Sequence, residues 1–220
     1  MNLNTFFLRV ALLASLSILS TSAFAQQWYH VELVVFERLS GANAEHWPVM
    51  NNIRSGSLSP QMANNQIQPA AVETLAGVSQ RLQNASNYRV HYHKAWQQPM
   101  LSKGSARSIQ INSDNGLVEG ALKVYRVNYL HADIDLWFKE NGSSLSNWNA
   151  ATPEGVELGG PRNPNLAQIR RIKSKALNYF DHPRIAAILQ LTPVAAPASA
   201  VSKTPESYSL PETSEATEGQ

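Results

Sequence analysis

Residues 117–138 keep a single register in which the even positions are mainly apolar. Even positions include Leu122, Val124, Leu130, Ala132, Ile134, Leu136 and Phe138; odd positions include Lys123, Tyr125, Val127, Tyr129, His131, Asp133, Asp135 and Trp137. Successive side chains of a strand point to opposite faces, so a period of two describes a sheet with one face on a core. A slip of one residue would turn the whole apolar set to water, which pins the register. Either one long, bent strand or two strands joined by a turn near residues 126–129 that preserves facing satisfies the pattern. No glycine or proline marks such a turn, and this favours one long or bulged strand.

The other elements follow from the same patterns. Residues 28–36 (WYHVELVVF) alternate with apolar residues on both faces, the mark of a central strand. In residues 88–96, Tyr88, Val90, Tyr92 and Lys94 stand against Arg89, His91, His93 and Ala95, with Pro99 closing the strand. A short strand over residues 108–112 is followed by Ser113-Asp114-Asn115-Gly116, a strong turn signal. Residues 70–85 read as an amphipathic helix: Val72, Leu75, Ala76, Ser79, Leu82 and Ala85 recur at helical spacing and Pro69 sits at the entry. Gly77 weakens that helix by ~1 kcal/mol relative to alanine without removing it.

Two stretches, residues 39–69 and 141–165, are rich in Asn, Ser, Gly and Pro and read as long polar loops. The first either carries a function or packs down through Trp47, Met50 and Ile53, anchored at His46-Trp47-Pro48, and the second is expected to be pinned by Trp148. The expected fold class is therefore α+β: a mainly antiparallel sheet carrying one principal amphipathic helix, long polar loops and a disordered C-terminal tail.

Residues 1–25 carry Arg9 as their sole charge, an apolar stretch from Val10 to Leu19 and Ala23-Phe24-Ala25 as a small-x-small site. These describe a secretory signal peptide cleaved after Ala25, and the apolar run is short for a spanning helix. The chain contains no cysteine, so neither a disulfide nor a cysteine-linked lipid anchor is available and stability must come from core burial. An exported, periplasmic protein without a transmembrane segment is expected. Residues 26–193 would form a single domain, and residues 194–220, dominated by Ala, Pro, Ser, Thr and Glu, a disordered tail.

The formal charge of +2 falls to +1 without Arg9; residues 201–220 hold Lys203 against Glu206, Glu212, Glu215 and Glu218, a net of −3, leaving about +4 on the body. That is far from a nucleic-acid footprint but compatible with an acidic polymer or partner.

Catalytic patterns are missing: there is no Gly-x-Ser-x-Gly, no His-Glu-x-x-His and no cysteine nucleophile. Gly159-Gly160 lies outside a strand-to-helix context and does not cradle a phosphate. His91 and His93 are placed on one strand face, as a metal pair would be, yet no third ligand accompanies them and neither a metal nor another cofactor is expected.

Two regions carry binding chemistry. One is residues 168–193, where Arg170, Arg171, Lys173 and Lys175 precede Tyr179-Phe180 and a turn at Asp181-His182-Pro183, with an apolar run over residues 185–191 forming a final strand. Its cations are either a solvated strand face or a surface for an anionic ligand or partner. The second is the odd face of residues 117–138, where His131, Asp133 and Asp135, flanked by Tyr129 and Trp137, either face solvent or engage a cation or a sugar. The candidate residues are thus Arg170, Arg171, Lys173, Tyr179, Asp181, His182, Tyr129, His131, Asp133, Asp135 and Trp137. A binding protein is favoured over an enzyme.

Three blocks together resemble a known family: WYHVELVVF, residues 122–138 with Tyr129-Leu130-His131 and Asp135-Leu136, and residues 170–191 with Arg-Arg-x-Lys-Ser and Tyr-Phe-Asp-His-Pro. With His46-Trp47-Pro48 and Trp96-Gln97-Gln98-Pro99 they are similar to the CsiV family of bacterial periplasmic proteins. The resemblance implies peptidoglycan binding in support of cell-wall synthesis, acting through an outer-membrane lipoprotein activator of a bifunctional (class A) penicillin-binding protein. The rival reading is a protein–protein adaptor of the same machinery without direct contact with peptidoglycan.

Overall fold

The computed structural model describes residues 26–40, 47–50, 53–139 and 162–198. The expected signal peptide, His46, Trp148 and the tail beyond residue 198 lie outside the described residues. The elements in chain order are β1 (Trp28–Arg38), β2 (Gln68–Pro69), α1 (Ala76–Asn84), β3 (Tyr88–Pro99), β4 (Ile109–Asn112), β5 (Val118–Arg126), β6 (Leu130–Phe138), β7 (Asn165–Arg171), β8 (Asn178–Phe180) and β9 (Ile185–Val194). They form two antiparallel sheets, β2-β3-β1-β9-β8 and β4-β5-β6-β7. Mostly antiparallel sheet with one helix among the described residues is an α+β architecture.

β1 is central, as its two apolar faces required. Tyr29, Val31, Leu33 and Val35 point into the space between the sheets, where they meet Leu122, Val124, Leu130, Ala132, Ile134, Leu136 and Phe138 of the second sheet. Each such large side chain, fully removed from water, contributes roughly 1.5–3 kcal/mol. The opposite face of β1 presents Val34 and Phe36 to α1, which packs on them through Leu75, Val78 and Leu82. The molecule is therefore layered as helix, five-stranded sheet and four-stranded sheet.

Four sequence expectations need correction. Residues 117–138 form two strands: β5 and β6 make a hairpin in which Arg126 faces Leu130, with Val127, Asn128 and Tyr129 as its turn. Paired residues sum to an even number, so the turn preserves facing and the even set stays in the core throughout. The helix begins at Ala76 rather than Ala70; Pro69 belongs to the short β2 and Val72 is 65% exposed.

The third correction concerns His91 and His93. The β1–β3 register shifts between Val35 and Phe36, which gives β3 one extra residue, His91. This bulge turns His91 inward against Phe138 and Glu37, while His93 faces α1 and bonds Glu32 at 2.7 Å. The two imidazoles do not share a face. The fourth concerns the odd face of the second sheet, where Asp133 and Asp135 pair with Arg54 and are covered rather than free.

Candidate functional site

The described part of residues 47–58 straps the odd face of the second sheet. Its start is tied down where Asn163 N–H donates to the Pro48 carbonyl at 3.2 Å and Val49 bridges Arg162; its end runs parallel to Ile109 at the β4 edge. Between them Met50 is completely buried, Arg54 donates to Asp133 and also pairs with Asp135 at 3.5 Å, and Gly56 N–H donates to the Gln110 side chain. A Cβ on Gly56 would collide with the Gln110 backbone, so only glycine lets the strap lie this close. Three candidate residues lie on this face: Asp133 and Asp135, partly buried beside Arg54, and the buried Trp137. Asp133 and Asp135 are committed to Arg54, Asp135 also accepts from Asn165 at 2.9 Å, and Trp137 is 6% exposed. None of the three is an open platform for a ligand.

The basic cluster divides because it lies on a strand. On β7, Arg170, though exposed, reaches across to β8: its guanidinium lies over the Phe180 ring at 4.1 Å and donates to the Tyr179 carbonyl, knitting β7 to β8. Arg171 faces outward, its guanidinium 3.3 Å from the centroid of the Tyr129 ring. Tyr179 and Asp181 form a third group with Arg38: the Tyr179 hydroxyl donates to Asp181 at 3.0 Å and Arg38 pairs with the same carboxylate at 2.7 Å. Partial burial, then the Asp181 hydrogen bond, pushes the Tyr179 hydroxyl pKa up. The His182 ring meets that of Trp47 at 5.3 Å and a tilt of 42°, so the anchor expected at Trp47 sits on the Asp181-His182-Pro183 turn between β8 and β9.

What remains together is Tyr129, His131, Arg171 and Lys173. Tyr129 (52% exposed), Arg171 and Lys173 line an open depression of about 360 Å³ with Arg126, Asn128, Leu130, Ile172 and Ser174. The β5–β6 turn forms one wall and the chain leaving β7 the other, joined where Ile172 N–H donates to the Leu130 carbonyl at 2.9 Å. His131 sits beside it: its Nδ1–H donates to the Tyr129 carbonyl at 2.9 Å and its ring stacks on Tyr125 at 5.4 Å. Lys103 lies over the other aromatic, 5.8 Å from the Tyr125 centroid. Among the described residues no carboxylate pairs with Arg126, Arg171 or Lys173. Uncompensated cations next to an exposed aromatic can take an anionic group together with a flat apolar surface.

A family model described as "Peptidoglycan-binding protein, CsiV" matches residues 5–194. The chain belongs to the CsiV family. Neither a curated protein nor a solved structure matches it. The CsiV match runs through both sheets and ends at Val194, the last residue of β9.

Sequence reasoning missed two kinds of residue in this CsiV protein. Arg126, Asn128 and Ser174 reach the depression from the end of a strand, a turn and the chain after β7, and no periodicity marks them. The buried charge clusters were missed too. Glu32, fully buried, accepts from Thr74 N–H, the Thr74 hydroxyl and Leu75 N–H and meets both His30 and His93. Burial pushes its pKa up, but the His30, His93, Thr74 and Leu75 hydrogen bonds outweigh that and hold it well below the usual carboxylate range. Glu37 meets His91 at 3.1 Å and Arg184 at 2.9 Å. Both clusters use their polar atoms internally and hold layers together.

Proposed function

We propose that this protein is a non-catalytic, periplasmic peptidoglycan-binding protein that meets the wall through the Tyr129–Arg171 depression, with residues 26–193 as its working unit. It would support wall synthesis by a class A penicillin-binding protein through that enzyme's outer-membrane lipoprotein activator. The observation that carries the site assignment is the set of cations without a carboxylate partner among the described residues, Arg126, Arg171 and Lys173, around the exposed Tyr129 ring. Peptidoglycan presents sugars with apolar faces and peptides with carboxylates, and this group answers both. The family description supports the same ligand.

The test is co-sedimentation of the mature protein with purified, protein-free sacculi at low and high salt. Pelleting that weakens with salt and falls about fivefold in Arg171→Ala, the equivalent of ~1 kcal/mol, is expected. Unchanged pelleting of Arg171→Ala would move the site elsewhere.

A second reading, the adaptor that reaches the wall through a partner protein, draws on the β8 edge, where Leu177 and Tyr179 are 55% and 44% exposed. It takes over if the protein fails to pellet with protein-free sacculi at either salt.

A further inference from the structure

The end of the sandwich that holds the cationic depression is also where the last strand finishes. Arg126, on the rim, donates to the Tyr29 hydroxyl at 3.1 Å, and Tyr29 is the β1 partner of Pro193. Lys175, two residues beyond Lys173, donates its backbone N–H to the Leu191 carbonyl at 2.7 Å. Val194 closes β9 opposite Trp28. The last strand therefore ends at the side of the fold that carries Arg126 and Lys175. The C-terminal segment beyond it is acidic: residues 201–220 hold Glu206, Glu212, Glu215 and Glu218 against Lys203 alone.

We propose that the segment 201–220 docks in the depression of its own chain and competes there with the anionic ligand. Length permits it: an extended chain covers roughly 3.3–3.6 Å per residue, so the twelve steps from Val194 to Glu206 span far more than the width of the site. Tethering permits it energetically as well. Exposed ion pairs are individually weak, at ~0–1 kcal/mol, but a covalent connection this short sets an effective concentration on the order of mM. The acidic segment is the one occupant tied to the site by the chain itself, and its net charge of −3 opposes the cations of the depression. The competition part of this inference rests on the wall-binding assignment; the docking does not.

The absence of cysteine makes the experiment direct. A nitroxide is attached at Ser214→Cys in the full mature chain, and paramagnetic broadening of the Asn128, Tyr129 and Ser174 amides is measured. The comparison is the same labelled chain carrying Glu206→Gln, Glu212→Gln, Glu215→Gln and Glu218→Gln, in which the tether is unchanged. Broadening in the parent that disappears in the four-fold variant and at high salt is the expected result. Equal broadening in both chains, or none in either, overturns docking. Broadening that appears between a labelled and a separate isotope-enriched chain assigns the contact to a second copy and overturns the intramolecular form.

Sacculus pelleting of the same two proteins separates docking from wall binding. The four-fold variant should bind roughly threefold more tightly than the parent or better. Amide contacts without any pelleting would remove the wall-binding assignment and leave the docking standing. Pelleting without amide contacts would do the reverse.

Discussion

Glu32 is buried on the central strand because helix α1 needs it. The residue that opens α1, Leu75, offers no side-chain oxygen, and the amides of Thr74 and Leu75 turn to the Glu32 carboxylate instead. Glu32→Ala leaves these donors and two imidazoles without their acceptor, and a loss of about 3 kcal/mol in urea denaturation is expected. The pH dependence has a definite sign. A carboxylate whose folded pKa is depressed contributes stability above its ordinary value near 4.5 and loses it as pH falls through the depressed value, so unfolding should steepen below about pH 4.5. The two arginines of β7 make a contrasting pair. Arg171→Ala should weaken sacculus binding with an unchanged denaturation midpoint, whereas Arg170→Ala, which removes the stacking on Phe180 and the bond to β8, should shift the midpoint by roughly 1 kcal/mol. Neither contrast was legible in the sequence, because adjacent strand residues face opposite ways and only the pairing partner says which is which. Asp133 and Asp135 were legible as a pair on one face, but their neutralisation by Arg54, some eighty positions earlier, was not.

At the scale of elements, the alternation of residues 117–138 specified which side chains are buried and left the turn hidden. A hairpin with Val127, Asn128 and Tyr129 at its tip carries no glycine or proline, and its local mark is the pair of polar residues, Arg126 and Asn128, that interrupts the apolar even positions. The helix start was misplaced for a related reason: the signal that ends residues 70–75 as coil is the distant Glu32 carboxylate. The bulge at His91 likewise depends on pairing and has no local sequence code. Gly120 is the position in the hairpin where the chain has least latitude. It adopts a φ of +150° and a Cβ there would collide with the Asp135 carbonyl. Gly120→Ala should cost about 3 kcal/mol, read as a lowered urea midpoint with broad loss of β5–β6 amide protection.

At the scale of the whole molecule, the strap over the second sheet takes the place of a second helical layer. Removing its central ion pairs in Arg54→Ala should leave global stability within roughly 1 kcal/mol, since the arginine is partly exposed, while speeding amide exchange at Ser57 and Leu58. Unchanged exchange there would show that the backbone bonds to Ser108 hold the strap alone. The five-stranded sheet is wired over long distances: β1 lies between β3 and β9, and Trp28 finds Val194 166 residues further along the chain. Such non-local pairing makes folding slow, because loop closure precedes every rewarding contact. The β3 side of β1 can zip as soon as Pro99 is in place, but the β9 side stays open until Val194 arrives, so the central strand carries one unpaired edge until the last strand closes it.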